Sequence, residues 1–224
     1  MNEAPICGIF IRELKNRFLC EVLIDNCPTE CYVPSSCRLG NFLDLHGRRV
    51  LLLPTHTKNS RTAYSLLAVP YKRNYILLNS SKANTVIADN LHKRYFTALG
   101  NRSNAIREYR LDGYKSDIYL PDSKTIIEVK SVISLNPIAE FPTVFSQRTL
   151  DQLSAIEVLM ENGFKAAMVI VSLNPYVRQV HIDQSTPFYT ALSPCLEKGL
   201  KVLAVATYIS ENGVGIKRHI DIVY

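Results

Sequence analysis

Three residues in the stretch SDIYLPDSKTIIEVKS (residues 116–131) have the types and spacing for phosphate chemistry: Asp117, Glu128 and Lys130. The stretch reads as two short strands joined by a Pro-Asp-Ser-Lys turn. Residues two apart on a strand share a face, so Glu128 and Lys130 point one way while Val129 points into packing. With 121–124 as a four-residue hairpin loop, Leu120 faces Thr125 and Asp117 falls opposite Glu128. Opposed residues hold their Cβ atoms about 4.5–5.5 Å apart, and like charges there repel. A hard cation, Mg2+ or Mn2+, relieves that repulsion and takes carboxylates, water and phosphate oxygens as partners. Lys130, on the same face, could orient a water or offset charge developing on a phosphate.

The same three residues on a solvated hairpin would be surface decoration. Against this, the run TIIEVKSVI (125–133) is apolar enough for a central strand, where a charge needs a reason. Glu108, on the strand IREYR, either adds a metal-binding carboxylate or pairs with Arg107 or Arg110. Arg148 opens a helix, where the helix N-terminus and a guanidinium together favour a phosphate; as a first-turn arginine it could equally be plain surface. Gln152, one turn on, would share its face.

The elements that must position these residues fall into two groups. Up to about residue 80 the chain reads as short strands at 17–24, 29–33, 49–53, 62–69 and 74–78 with turn residues between them. Regular spacing of this kind predicts a small barrel, and an OB-like barrel is the expectation. Lys58, Arg61, Lys72 and Arg73, near Tyr64, Tyr71 and Tyr75, would give it a basic and aromatic face for single-stranded nucleic acid. A solvated rim with packed tyrosines is the alternative. The pattern then changes to helices at 84–99, 148–162 and 186–198, stopped by Gly100, Gly163 and Gly199. Strands at 105–110, 165–171 and 201–209 alternate with them around the hairpin, which predicts an α/β sandwich. The expected division is 1–82 and 83–224, an α+β protein overall.

The chain has 224 residues, 47% apolar and 21% charged, which is a globular composition. Its net charge of +6 favours an anionic partner, nucleic acid first. The start is not a basic-then-apolar leader, and apolar runs such as 166–171 are too short to span a bilayer. A cytoplasmic protein without a membrane partner is expected; a monomer and a homodimer both remain open. Cys7, Cys20, Cys27, Cys31 and Cys37 crowd the N-terminal end, with Cys27 and Cys31 loosely metal-like. Without a CxxC pair or a histidine at finger spacing, buried free thiols are the default, ahead of a zinc or redox site or disulfides. No glycine-rich phosphate loop is present, and the five histidines are scattered.

An aspartate, a spacer and Glu-x-Lys resemble the pattern of PD-(D/E)XK nucleases at Asp117, Glu128 and Lys130. The order of pieces resembles the sugar fermentation stimulation protein A family over nearly the whole chain. The matching segments are RFLCEV, YVPSSCRLGNFLDLHGRRVLLLP, RTAYSLLAV and SSKANTVI with Asn84, then Glu108 before SDIYL, IIEVKS, and AEFPTVFSQR leading into LDQL. The resemblance implies an N-terminal OB fold and a C-terminal restriction-endonuclease-like (PD-(D/E)XK) α/β/α domain. It also implies DNA binding of little sequence preference, with Glu108, Asp117, Glu128, Lys130 and Arg148 as the motif residues. Metal-dependent phosphodiester hydrolysis is one implied activity; a non-catalytic DNA-binding regulator of sugar metabolism is the other, and OB folds accept RNA as well. Three departures stand out. Cys37 replaces a glycine, Asp117 follows Ser116 without an intervening arginine, and the family's Arg-Gly-x-x-His-Leu is shortened to Arg148-Thr149-Leu150.

Overall fold

The computed structural model describes residues 4–35, 38–55, 60–111, 113–210 and 213–224. Cys37, His56 and Lys58 lie outside the described residues. The N-terminal strands are β1 (Ile6–Glu13), β2 (Leu19–Ile24), β3 (Cys27–Tyr32), β4 (Arg49–Pro54), β5 (Tyr64–Tyr71) and β6 (Asn74–Leu77). They run in the order β3-β2-β1-β4-β5-β6, and a short parallel pairing of β3 with β5 closes the first five into a barrel. Closure removes the free edges that an open sheet would present. This is the OB-like barrel that the spacing predicts, with β6 as a lip outside the closure.

One barrel strand, β1, has no counterpart among the segments read from the sequence. Its inward residues are Gly8 and Phe10, while Ile9 is exposed, so the apolar alternation is disguised. Gly8 sits where β1 and β2 press together: a Cβ there would lie 2.5 Å from Val22 Cγ1. Glycine marks a close approach here and not a turn.

The second half contains α1 (Lys82–Asn90), β7 (Ile106–Leu111), β8 (Tyr114–Leu120), β9 (Thr125–Val132), β10 (Ile138–Glu140) and α2 (Gln147–Glu161). It continues with β11 (Lys165–Ser172), β12 (Gln179–His181), α3 (Pro187–Glu197), β13 (Lys201–Ser210), β14 (Gly213–His219) and β15 (Asp221–Val223). The main sheet has the order β14-β13-β11-β9-β8-β7, with β9, β11 and β13 parallel at its centre. Strand β11 (KAAMVIVS) is buried at every position but its first, as a parallel strand covered on both faces must be. A small parallel sheet, β10-β12-β15, anchors the segment that leads into α2.

The helix expected over 84–99 divides. Helix α1 ends at Asn90, whose side chain donates back to the Val86 carbonyl, and Lys93 is extended before a separate 3-10 turn over Arg94–Leu99. Arg102 satisfies the carbonyls this break leaves open, donating to Leu91, Phe96 and Gly100 at 2.8–2.9 Å. Tertiary hydrogen bonding here overrides an apolar period that would suit one continuous helix.

Each face of the main sheet has its own core. Leu153, Ile156, Phe188 and Leu192 of α2 and α3 pack on Ile126, Met168 and Ile170. On the other face, Ile127, Val129, Val169 and Val171 join α1 and run without interruption into the barrel interior at Val22, Leu52 and Leu66. The barrel thus serves, with α1, as the second outer layer of the sandwich. The Leu77 N–H donates to the Leu173 carbonyl at 2.9 Å, joining β6 to the end of β11. Fully burying each aliphatic side chain is worth roughly 1.5–3 kcal/mol, so this shared core couples the two halves firmly.

Candidate active site

Strands β8 and β9 pair as Leu120 with Thr125, Tyr119 with Ile126 and Ile118 with Ile127, the expected hairpin register. The ladder stops one pair short of Asp117 and Glu128. Tyr114 belongs to the helix-side core and Ile118 to the barrel-side core, although an unbroken strand would turn both to one face. The change falls around Asp117, which fills the gap with its side chain: Oδ2 accepts the Val129 N–H at 2.8 Å. Oδ1 accepts from Asn84 Nδ2 of α1 at 2.7 Å.

Glu128 is 3% exposed. One of its oxygens, Oε1, accepts from Lys130 Nζ at 2.9 Å and from Gln152 Nε2 at 2.6 Å. Lys130 Nζ also donates to Gln152 Oε1 at 2.6 Å, closing a triangle between β9 and α2. The other oxygen accepts from the Tyr114 hydroxyl at 2.5 Å. Glu128 and Lys130 face α2 because β9 alternates, with Ile127 and Val129 turned to the barrel side. Helix α2 brings Gln152 over them; its N-cap Ser146 accepts from the Thr149 N–H, fixing the start one residue before Arg148 was expected to open it.

Asp117, Glu128, Lys130 and Gln152 line one cleft of about 460 Å³, together with Arg148 and, from the barrel half, Arg17, Phe42 and Ser80. Burial, reinforced by repulsion from Glu128, pushes the Asp117 carboxyl up to about 6; the Val129 N–H, Lys130 and Asn84 oppose the shift without cancelling it. Burial and the neighbouring Glu128 likewise push the Tyr114 phenol up, which keeps it a hydrogen-bond donor. Two carboxylates converging in a cleft, one of them costly to ionise, form a donor set that a divalent cation would complete. Asp117 and Glu128 are the residues that would hold it.

Glu108 is not brought to this cleft. It takes a positive φ of 54° within β7, which breaks the alternation, and its exposed carboxylate meets Lys115 Nζ at 2.8 Å. Among the described residues no group of three or more His, Cys, Asp or Glu side chains gathers. The basic and aromatic barrel face also divides. Arg61 lies before β5 and pairs with Glu30 at 3.6 Å, while Lys72 and Arg73 form the turn beyond its far end. Eight residues of strand separate them, roughly 25 Å. Tyr64, Tyr71 and Tyr75 pack partly against the core. Among the described cysteines all are free, with Cys20, Cys31 and Cys195 buried and Cys7 and Cys27 exposed. Sequence reasoning missed Tyr114, which carries no motif and reaches Glu128 because β8 changes face between Tyr114 and Ile118.

Residues 13–78 match the model of the SfsA N-terminal OB domain, and residues 81–213 match that of the sugar fermentation stimulation protein RE domain. The chain belongs to the sugar fermentation stimulation protein family. It is similar to the sugar fermentation stimulation protein homolog of Ruminiclostridium cellulolyticum, 25% identical over 229 residues with 96% of each chain covered. It is also similar to that of Caldivirga maquilingensis, 26% identical over 220 residues, covering 96% of this chain and 93% of the other. Among solved structures, Pyrococcus furiosus SfsA in complex with Ca2+ superposes with a TM-score of 0.84 at 19% identity. That match covers 100% of this chain and 98% of the other, so the two-part architecture is shared throughout. No helix among the described residues is long and apolar enough to cross a membrane.

Proposed function

We propose that this family member binds DNA with little sequence preference and hydrolyses its phosphodiester backbone in the cleft, using Mg2+ or Mn2+ held by Asp117 and Glu128. The observation that carries the reading is the convergence of a buried glutamate, a raised aspartate, Lys130 and Arg148 on one open cleft. Bound there, the cation would offset charge on the phosphate and lower the pKa of an attacking water. The residues themselves do the rest. Lys130, held by Glu128 and Gln152, presents an ammonium beside the place where negative charge develops. Arg148, in the first turn of α2, receives a phosphate with the help of the helix N-terminus. Phe145, 67% exposed at the cleft, offers a ring on which a base can stack. The P. furiosus relative was solved in complex with Ca2+, which supports a divalent-ion site in the family.

One observation favours a second reading, DNA binding without hydrolysis: the triangle of Glu128, Lys130 and Gln152 is satisfied by its own hydrogen bonds. Incubating labelled single- and double-stranded DNA with the protein, in Mg2+, Mn2+ or EDTA and beside Lys130→Ala, separates the two. Metal-dependent product that disappears in the variant supports hydrolysis. Binding without product on either substrate, in either metal, rejects it in favour of the second reading.

A further inference from the structure

A second concentration of charge lies away from the cleft acids, on the seam between the barrel and the main sheet. Tyr176, in the loop after β11, is its centre. Its hydroxyl accepts from the Arg73 N–H at 3.2 Å and from Asn74 Nδ2 at 2.9 Å, so a residue of the second half is fixed to the β5–β6 turn of the first. Tyr71 meets Tyr176 edge-on, with ring centroids 5.9 Å apart, and donates its own hydroxyl to the Leu135 carbonyl. Lys72 Nζ stands 5.0 Å from the Tyr176 ring and 5.3 Å from the Tyr71 ring; Lys217 Nζ stands 4.9 Å from the Tyr176 ring.

Two backbone features hold these lysines in place. Lys72 is the first residue of a two-residue turn and has φ 54°, a conformation that such turns usually give to glycine, asparagine or aspartate. Lys217 is the extra residue of a bulge: Ala206 pairs with Arg218 and Thr207 with Ile216, leaving Lys217 between them. A bulge re-aims adjacent side chains, and Lys217 and Arg218 both come near Arg178. Burial and the neighbouring cations lower the proton affinity of Lys217 and Arg218. The ion pairs among the described residues include none of Lys72, Arg73, Arg178, Lys217 and Arg218.

We infer that this seam is a phosphate-backbone site, which holds the nucleic acid beside the cleft without reading its sequence. Five cations supplied by three separate elements, with no carboxylate among the described residues paired to them, call for an extended polyanion and not for a single small anion. The aromatic rings attract the ammonium groups and so gather both lysines about Tyr176, where phosphate oxygens can meet them together. The seam lies near the cleft along the chain: Leu173, which lines the cleft wall, is three residues before Tyr176, a span of at most about 11 Å. The inference rests on the nucleic-acid reading above but not on hydrolysis.

The test is anisotropy of labelled single- and double-stranded DNA in EDTA over a salt series, comparing the parent with Lys72→Gln/Lys217→Gln and with Arg148→Gln. Lys72 is exposed and Lys217 partly so, and an unchanged thermal midpoint would verify that the double variant folds. The double variant should bind about tenfold more weakly at low salt, and its log–log salt slope should fall by about two. An unchanged slope and affinity in that variant, with Arg148→Gln weakened, would overturn the seam and leave the cleft reading standing. A reduced slope in a protein that yields no metal-dependent product would support the seam while the hydrolytic reading fails. A parent that binds no DNA at any salt overturns both.

Discussion

The cleft and the seam are both charged, and they are built in opposite ways. In the cleft, opposite charges are interlocked: Glu128 is buried, Lys130 is half-buried, and the Glu128 oxygens accept from Lys130, Gln152 and Tyr114. At the seam, like charges are left partly solvated and stand near aromatic rings. Charges in the first arrangement hold one another in position, so removing one harms the fold as well as the chemistry. Those in the second are held only by cation–π contacts, worth about 0.5–1 kcal/mol at exposed sites, so removing one should harm binding more than the fold.

The largest effect expected from this contrast is on turnover. Asp117→Ala or Lys130→Ala should lower metal-dependent DNA cleavage by at least about 100-fold while leaving binding in EDTA within a few-fold, measured on the same labelled substrates. Equal cleavage by both variants and the parent would sink the assignment. Next, Lys130→Ala should destabilise the protein by about 3 kcal/mol in chemical denaturation, because it leaves Glu128 buried without its cation. A variant as stable as the parent would mean that Tyr114 and Gln152 alone suffice for Glu128, and the contrast with the seam would lose its basis.

Asp117 gives a pH-dependent test. Its folded pKa, about 6, lies above its ordinary value of 3.8, so the folded protein binds the proton more tightly than the unfolded chain does. The associated stability is present below the unfolded value and is lost as pH rises through about 6. In metal-free buffer, the stability of Asp117→Asn relative to the parent should therefore improve by up to about 2 kcal/mol between roughly pH 4 and pH 7. A difference that does not vary with pH would contradict the raised carboxyl.

Tyr114→Phe should cost about 1–2 kcal/mol, the loss of one hydrogen bond to a buried carboxylate, and should weaken cleavage more than DNA binding. Smallest is Lys72→Gly. Relief of its positive φ should raise stability by up to about 1 kcal/mol, while loss of its ammonium weakens DNA binding. A seam residue whose removal stabilises the fold would make the contrast with Lys130 as sharp as it can be. Destabilisation would instead assign Lys72 a structural role.

Much of this was legible in the sequence, for reasons specific to each part. The hairpin register followed from the length of the Pro-Asp-Ser-Lys turn, since a strand period of two leaves no freedom once the loop is set. Helices α2 and α3 followed from their apolar period and their glycine stops. Strand β1 did not, because its buried face contains a glycine. The break in α1 did not either, because the arginine that stabilises it, Arg102, bonds to a carbonyl eleven residues away. Glu108 reads from the sequence as either a metal-binding carboxylate or an arginine's partner; it meets Lys115 instead, because one positive φ turns a strand residue outward and no composition signal announces it. Tyr114 and Tyr176 were invisible for a common reason: each acquires its role from partners distant in the chain.

Local sequence was enough to say which side chains share a face, because alternation and helical period are direct consequences of backbone geometry. It was therefore enough to pair Glu128 with Lys130 and to divide the chain into a strand-rich and a mixed half. Which faces meet was left to tertiary packing. Folding the barrel onto the sheet set Arg17 and Phe42 in the same cleft as Asp117, and brought Lys72, Tyr176 and Lys217 from three elements to one seam. Those meetings depend on a core shared by the whole chain, and no short stretch of sequence contains it.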